Sequence, residues 1–577
     1  MVGLLKKEVI KILFYDFEVF KYDWLVVLKD TDNKSTTIIV NDPDKLNEFY
    51  NKHLEDIWCG YNSRNYDQYI LKGIIAGFNP KEINDWIIVK HKPAWKFSSL
   101  LFKIPLFNYD VMTSYHGLKQ LEGFMGNDIR ETTVPFDIDR KLTAKELDEV
   151  IFYCNHDVEQ TMEVFINRIE EFEAHMGLIK TFKLPLKYIN KTKAQLSSII
   201  LGATKKTHND EFNISIVDTI KLKKYKWILE WYLNPVNKNY EKSIDIDIEG
   251  VPHSFGWGGL HGARTNYISD GVFVNSDVGS FYPSLMIQYD FLSRNVKDKN
   301  KYKEIYDYRM NLKHEGKKKE QQPYKIVLNA TYGASKDKYN NLFDPLMANN
   351  VCINGQLMLL DLIEKVFEAL PGALLIQSNT DGVMFKLECK DDLKTYKKVC
   401  DEWCNRTRMT LEHDIIEKVI QKDVNNYYVV KEGGKVKSKG AYAKALNKLD
   451  YDLPIVNEAL YNYFIKYIPV RTTINECKDL IKFQKVVKVS SKYLCAYHGN
   501  EKLDEKVLRV FASKNNNDPG AFKVKSEGAT KEKIANTPIN CFINNADIKG
   551  KRIPRRLDKN WYIEVAQKRI NDFIGVK

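Results

Sequence analysis

Two widely separated groups of acids interrupt apolar, strand-like runs, and they constrain this chain more than any other feature. Near the start, Asp16 and Glu18 stand in Lys-Ile-Leu-Phe-Tyr-Asp-Phe-Glu (11–18). Much later come Ser-Asp-Val-Gly-Ser-Phe-Tyr-Pro-Ser (276–284) and Ser-Asn-Thr-Asp-Gly (378–382). A carboxylate in an apolar strand is costly unless it is paired, hydrogen-bonded or bound to a cation. Two such groups in one chain predict two metal centres and therefore two chemistries.

At 577 residues the chain is too long for one core, which predicts three or more domains. Its formal net charge of +12 points to a polyanionic partner. The 33 tyrosines suit a nucleic-acid groove and a packed core alike. The nine cysteines are scattered, and only Cys400 and Cys404 lie close, with no second pair to complete a zinc set. That pattern predicts a reducing compartment. Lys6, Lys7, Glu8 and Lys11 break up the N-terminal apolar stretch, which argues against a signal peptide. No run of about 18 apolar residues stands out, so no membrane span or membrane partner is expected, and the expected location is cytoplasmic.

Residues 9–30 read as two strands joined by a turn near Lys21. Helix and strand patterns alternate from there to about 185 and end in a helical stretch over 145–176. A mixed connector follows to about 265 and contains Phe-Gly-Trp-Gly-Gly-Leu-His-Gly (255–262). Residues 268–300 and 370–445 carry strand-like runs around the second acidic group. Between them, 301–335 and 351–370 are helical in pattern. The last 130 residues are mixed and Lys-rich. There is no internal repeat or low-complexity tract.

On a strand, Asp16 and Glu18 project from one face, beside Phe14. Asn62-Ser-Arg-Asn-Tyr66-Asp67 brings a third acid, and Tyr153-Cys-Asn-His-Asp157 a fourth. Tyr153 and Asp157 are four apart, so a helix points both at one site. Four carboxylates can hold two Mg²⁺ or Mn²⁺ ions, hard cations that prefer oxygen. In the second group, Val272–Asp277 reads as a strand ending in an acid, and 372–387 as a hairpin with Asp381 near its turn. Two strand ends can bring Asp277 and Asp381 together around a second metal pair. Arg309 and Lys313 share a helix face, and Lys325 and Asn329 repeat that spacing. They form a candidate basic wall for phosphate.

Taken in order, Asp-x-Glu, Asn-x₃-Tyr-Asp and Tyr-x₃-Asp resemble the three exonuclease motifs of proofreading family B DNA polymerases. Asp277-Val-Gly-Ser-Phe-Tyr-Pro-Ser resembles that family's motif A, Lys325-Ile-Val-Leu-Asn329-Ala-Thr-Tyr332-Gly333 its motif B, and Asn379-Thr380-Asp381 its motif C. The family more often has an acid where Asn379 stands, and a Ser where Ala330 stands. The resemblance implies a multidomain α/β and α+β fold: a ribonuclease-H-like exonuclease domain plus a right-hand polymerase. The implied domains are an exonuclease over 1–185, a connector over 186–265, palm over 266–300 and 370–450, fingers over 301–369 and thumb over 451–577.

Carried over by resemblance, Asp16, Glu18, Asp67 and Asp157 hold two metals for 3′→5′ exonucleolysis, with Tyr153 orienting a water. Asp277 and Asp381 hold two for nucleotidyl transfer. Lys325, Asn329, Arg309 and Lys313 face the nucleotide, Tyr282 packs under its sugar and blocks a 2′-hydroxyl, and Tyr332 stacks near the templating pair. Asn62, Lys439 and Tyr442 become DNA contacts. Gly117-Leu118-Lys119 stands where the family has a DNA-contacting Ser-Leu, and Arg130 is the candidate for an assisting cation. Trp257-Gly258-Gly259 stands near the family's Tyr-x-Gly-Gly. Implied partners are primer-template DNA and dNTPs, with a helicase, a single-strand-binding protein or a processivity factor left open. The expected role is viral genome replication in a host cytoplasm. The alternative is a DNA-binding nuclease with an inactive polymerase site, for which Asn379 speaks.

Overall fold

Strand β1 (Ile12–Val19) is apolar on both faces except at its two acids. Leu13, Tyr15, Phe17 and Val19 bury into one core cluster, while Phe14 buries into another on the opposite face. A strand covered on both sides reads as a near-continuous apolar run. The structure is a computed structural model that describes residues 11–32 and 34–576. Residues 9 and 10, read as the start of the first strand, lie outside the described residues, as do Lys6, Lys7 and Glu8. The chain divides into two compact units: residues 1–190, 446–459 and 471–564, and residues 191–445, 460–470 and 565–577.

In the first unit β1 pairs antiparallel with β2 (Trp24–Asp30), which pairs with β3 (Thr36–Val40). On its other side β1 runs parallel to β4 (Ile57–Gly60), and β4 to β5 (Phe107–Asp110). The order is β3-β2-β1-β4-β5. Helices α1 (Pro43–Lys52), α2 (Asp67–Ile75), α3 (Pro80–Asn84) and α4 (Leu118–Met125) fill the connections. Helix α5 (Ala144–Asn167) opens on a capping box, in which Thr143 and Glu146 satisfy each other's end of the first turn. The stretch expected as one helix over 145–176 breaks at Arg168 before α6 (Ile169–Thr181). Arg168 leaves helical geometry there, and its guanidinium donates to Val111 O at 2.7 Å and Ser114 Oγ at 2.9 Å.

The second unit is built on a nine-stranded sheet. Helices α7 (Lys193–Ile200) and α8 (Lys226–Leu233) precede it. Strands β6 (Ser243–Ile248), β7 (Val251–Gly256) and β8 (His261–Ala263) come from the stretch expected to be a connector. They join β9 (Tyr267–Val278), β10 (Leu374–Asn379), β11 (Gly382–Leu387), β12 (Leu411–Asp423), β13 (Asn426–Lys431) and β14 (Val436–Lys439). The order is β14-β13-β12-β9-β11-β10-β8-β7-β6. Helices α9 (Phe281–Gln288), α10 (Asn300–His314), α11 (Gln322–Lys336), α12 (Pro345–Ala369) and α13 (Asp392–Thr407) complete the unit. Helix α12 is by length and composition able to cross a membrane, contrary to the expectation from a simple scan for apolar runs. It is 94% buried inside the protein over its apolar window, as a core helix is.

Helices α14 (Pro454–Lys466), α15 (Val470–Glu476) and α16 (Lys559–Ile574) and strands β15 to β21 follow. β15 (Lys485–Lys488), β18 (Val507–Ala512) and β21 (Cys541–Ile543) form one small sheet in the order β15-β18-β21. β16 (Cys495–His498), β17 (Glu501–Leu503), β19 (Ala521–Val524) and β20 (Glu532–Lys533) form another, in the order β17-β16-β19-β20. The segment 451–577 is therefore not one body: 471–564 belongs to the first unit. The cause is apolar burial, because Val486 and Val507 enter the same core cluster as Phe14, Leu121 and Val158.

Candidate active sites

The first acidic group assembles on β1, α2 and α5. Asp16 and Glu18 lie on the Phe14 face of β1. Asp67 is the first residue of α2 and accepts the Phe17 N–H at 3.1 Å, which ties α2 to β1. Asp157 lies on α5, one turn beyond Tyr153. Burial first, then Asp67, Glu18 and Asp157, raises the Asp16 carboxyl well above the usual range. Burial, Asp157 and Asp67 do the same to Glu18. Burial pushes Asp67 to about 7 and Asp157 to about 6. Four carboxyls thus share one desolvated place and repel one another.

A cation meets them. Lys119 Nζ pairs with Asp157 and lies 3.2 Å from Glu122 Oε1 and 4.5 Å from the Tyr153 ring centroid. Arg130 is elsewhere engaged: its guanidinium bonds Asp128 Oδ2 at 2.5 Å and stands over the Phe152 ring. The expected assisting cation, Arg130, thus pairs with Asp128, while Lys119 is the cation that pairs with an acid of this group. Asn62 is exposed in the left-handed region, φ 60°, a conformation Asn tolerates. Its N–H donates to Asp110 Oδ1 at 2.9 Å, and Asp110 also accepts from the backbones of Arg64 and Met112.

The residues fit divalent cations. The donors are carboxylate oxygens, crowded and short of positive charge. Cys154 is near, but its Sγ–H donates to Asp16 O at 3.4 Å, and burial pushes its thiol up, so it stays a neutral neighbour.

In the second unit Asp277 is the penultimate residue of β9, and Asp381 sits in the two-residue turn between β10 and β11. Gly382 pairs with Asp277 across β11 and β9, and the Val278 N–H donates to Asp381 O at 2.7 Å. Asn379, Gly382, Asp277 and Glu412 form one row across four strands. Burial raises the Asp277 carboxyl and Asp381 adds to it, while a hydrogen bond from Asn275 and the charge of Lys437 oppose the rise. Asp381 itself is exposed. The neighbouring row is anchored from behind: Ser276 Oγ bonds Tyr396 Oη at 2.8 Å and His413 Nδ1 at 2.7 Å, and Ser378 Oγ bonds His253 Nε2 at 2.6 Å.

Around this row, the Tyr282 ring on α9 lies 4.4 Å from the Tyr332 ring on α11, tilted by 51°. Arg309 is buried and donates through Nη1 to Ser280 Oγ at 2.6 Å, so it supports the loop after Asp277. Lys313 pairs with Glu412, the strand neighbour of Asp277. Lys325 and Asn329 are exposed on one face of α11, opposite buried Val327, Leu328 and Thr331. Lys439 ends β14 opposite Tyr427, with its Nζ 5.8 Å from that ring. Gly440 has φ 93° and no room for a Cβ, which would lie 1.9 Å from Asn425 O. The Tyr442 ring lies between Lys422 at 5.6 Å and Arg569 at 4.5 Å. Trp257 is a core aromatic, packed against Phe212, Tyr232 and Tyr240. Gly259 instead meets the Asp381 turn, where a Cβ would lie 2.5 Å from Thr380 Oγ1.

No family model matches the chain. Over 199 residues its sequence is 27% identical to DNA polymerase 1 of Saccharolobus solfataricus, a match covering 34% of this chain and 21% of that protein. The sequence relationship is to a DNA polymerase. The matched part spans about a fifth of that relative's length. Among solved structures, the family B DNA polymerase from the hyperthermophilic archaeon Pyrobaculum calidifontis is similar over 98% of this chain and 78% of its own, at 13% identity and a TM-score of 0.43.

Sequence reasoning missed Lys119, Glu122 and the Ser–His pairs. Lys119 had a signal, since it directly follows Gly117-Leu118 in a stretch already singled out. Ser276 and Ser378 had none, because their partners His413 and His253 lie more than 120 residues away.

Proposed function

We propose that this chain is a template-directed DNA polymerase with a separate 3′→5′ exonuclease. The observation that carries the reading is the pairing of Gly382 with Asp277, which sets Asp381 and Asp277 side by side, while four other acids gather in the other unit. Asp277 and Asp381 would hold Mg²⁺ or Mn²⁺ in one site; Asp16, Glu18, Asp67 and Asp157 would hold it in the other. Bound divalent metal supplies charge neutralisation and a more acidic hydroxyl or water. Lys325 and Asn329, exposed on α11, would bind the triphosphate of an incoming dNTP. Arg309 acts one step back by holding Ser280, and Lys313 by holding Glu412. Tyr282, braced on Tyr332, would pack against the sugar and exclude a 2′-hydroxyl. Lys439 and Tyr442 would contact the primer, and Asn62 the strand entering the exonuclease site. Tyr153, under Lys119, would orient the attacking water.

A labelled primer-template with Mg²⁺ tests this. With dNTPs the primer should grow, and without them it should shorten from its 3′ end. Shortening alone under both conditions would leave a nuclease with an inactive polymerase site, and Asn379 would then mark the loss.

A further inference from the structure

Between α3 and β5 the first unit carries a stretch whose apolar side chains its core does not use up. Residues 85–103 make one π turn (Asp85–Val89) and two 3₁₀ turns (Ala94–Lys96 and Ser99–Lys103). The backbone here is anchored. Phe97 meets Phe78 at 5.4 Å and Trp86 at 5.8 Å, edge to face, and Ala94 and Leu101 are buried. The Lys92 N–H donates to Trp86 O at 3.0 Å and the Trp86 Nε1–H to Pro93 O at 3.1 Å, so 86–93 closes into a tight loop. Ile88 and Val89 lie within that loop.

These turns present Ile88, Val89, Trp95, Leu100 and Phe102, each between 46% and 64% exposed. Of the 26 large apolar side chains left exposed among the described residues, five fall within residues 88–102. That is a concentration, where single exposed apolar residues would need no explanation. The charge around them has one sign. No Asp or Glu occurs from 86 to 109. Lys90, Lys92, Lys96 and Lys103 are exposed, and among the described residues none of them makes an ion pair. Asp85, at the start of the stretch, is taken by Lys81 at 2.8 Å.

Apolar side chains ringed by unpaired lysines match an anionic bilayer. A nucleic acid needs rings on which bases stack, yet three of the five exposed side chains are aliphatic. Acyl chains accept aliphatic and aromatic groups alike. Trp favours the depth of the headgroups, and a Lys stem can lie along apolar surface while its ammonium reaches a lipid phosphate. We propose that residues 86–103 are a membrane-surface contact. Ile88, Val89, Trp95, Leu100 and Phe102 enter the boundary between headgroups and acyl chains, and the four lysines stand at the phosphates. The sequence expectation of no membrane partner came from a search for spans, which a surface contact does not need. The proposal is independent of the polymerase and exonuclease readings.

The test sediments the full chain with sucrose-loaded vesicles, of phosphatidylcholine alone or with about a third phosphatidylglycerol. Wild type should bind the anionic vesicles about tenfold or more tighter than the neutral ones, and added salt should weaken that preference. Trp95→Ala with Phe102→Ala should lower affinity for anionic vesicles about tenfold. Lys→Gln at 90, 92, 96 and 103 together should abolish the preference for anionic lipid. Brominated acyl chains should quench tryptophan emission in wild type, and less in Trp95→Phe. All variants change exposed side chains, so all should keep the wild-type thermal midpoint. Absence of binding to anionic vesicles would overturn the proposal. So would binding that both sets of variants leave intact, because the contact would then lie elsewhere on a chain of net charge +12. If the variants weaken binding of a labelled oligo(dT) and not of vesicles, the surface serves single strands. If they weaken both and bromine does not quench, it is a general polyanion surface, and the bilayer assignment fails.

Discussion

Gly382 lies opposite Asp277 so closely that a Cβ on it would sit 2.2 Å from Asp277 Oδ1 and 3.0 Å from Ser276 O. The glycine therefore leaves the space that the Asp277 carboxylate occupies, next to the turn that carries Asp381. Gly382→Ala must push either the Asp277 carboxylate or the strand, at about 1–3 kcal/mol. Primer extension should fall about 10- to 100-fold while primer shortening stays at wild-type rate. Unchanged extension would show that Asp277 can rotate away freely.

The two acid groups lie in different compact units, so their losses should separate. Asp16→Ala with Glu18→Ala should abolish shortening and spare synthesis. Asp277→Ala or Asp381→Ala should do the reverse. Each loss should reach about a thousandfold or more, because several kcal/mol of charge stabilisation disappear. Both activities are read on one labelled primer. Equal loss of both in a folded variant would mean that one centre serves both.

The strand-like surroundings of both acid groups were legible because apolar runs and turn residues are local signals. The hairpin around Asp381 and the shared face of Asp16 and Glu18 follow from strand period alone. The place of the last segment was not legible. Val486 and Val507 read as ordinary strand residues, and nothing local says that they bury beside Leu121 and Val158. Lys119 was not legible as a cation beside these acids for the same reason: in sequence it is a single cation like Arg130, and only packing sets it between Asp157 and Glu122.

Arg509 on β18 is fully buried and carries the joint between the small sheets and α4. Its guanidinium donates to Gln484 Oε1 at 3.0 Å, Asn127 O and Ala546 O at 2.6 Å, and Gly123 O at 3.2 Å. Burial lowers it to about 10, and no carboxylate hydrogen-bonds it among the described residues. Arg509→Met leaves several buried carbonyls without donors, each costing about 1–3 kcal/mol. Lysine cannot span the same acceptors, because its charge is a point and not a fork. Both variants should lower the urea midpoint, Met the more. Wild-type midpoints in both would show that water or a neighbouring donor takes over.

Tyr282 is braced by Tyr332, with their rings 4.4 Å apart, is only half-buried, and lies close enough to Asp381 to feel its charge. A ring held in one place can exclude a hydroxyl where a flexible side chain cannot. Tyr282→Ala should therefore raise incorporation of ribonucleotides relative to deoxynucleotides about 10- to 100-fold, the range open to one steric contact in a pocket. Tyr282→Phe should keep the wild-type preference, because the block is the ring and not its hydroxyl. Single-nucleotide insertion with each rNTP and dNTP reads both variants. If Tyr282→Ala keeps its preference while losing stability, the ring is core packing and the 2′-position is read elsewhere. If Tyr282→Phe also loses discrimination, the hydroxyl does the work, and the ring contact with Tyr332 serves to aim it.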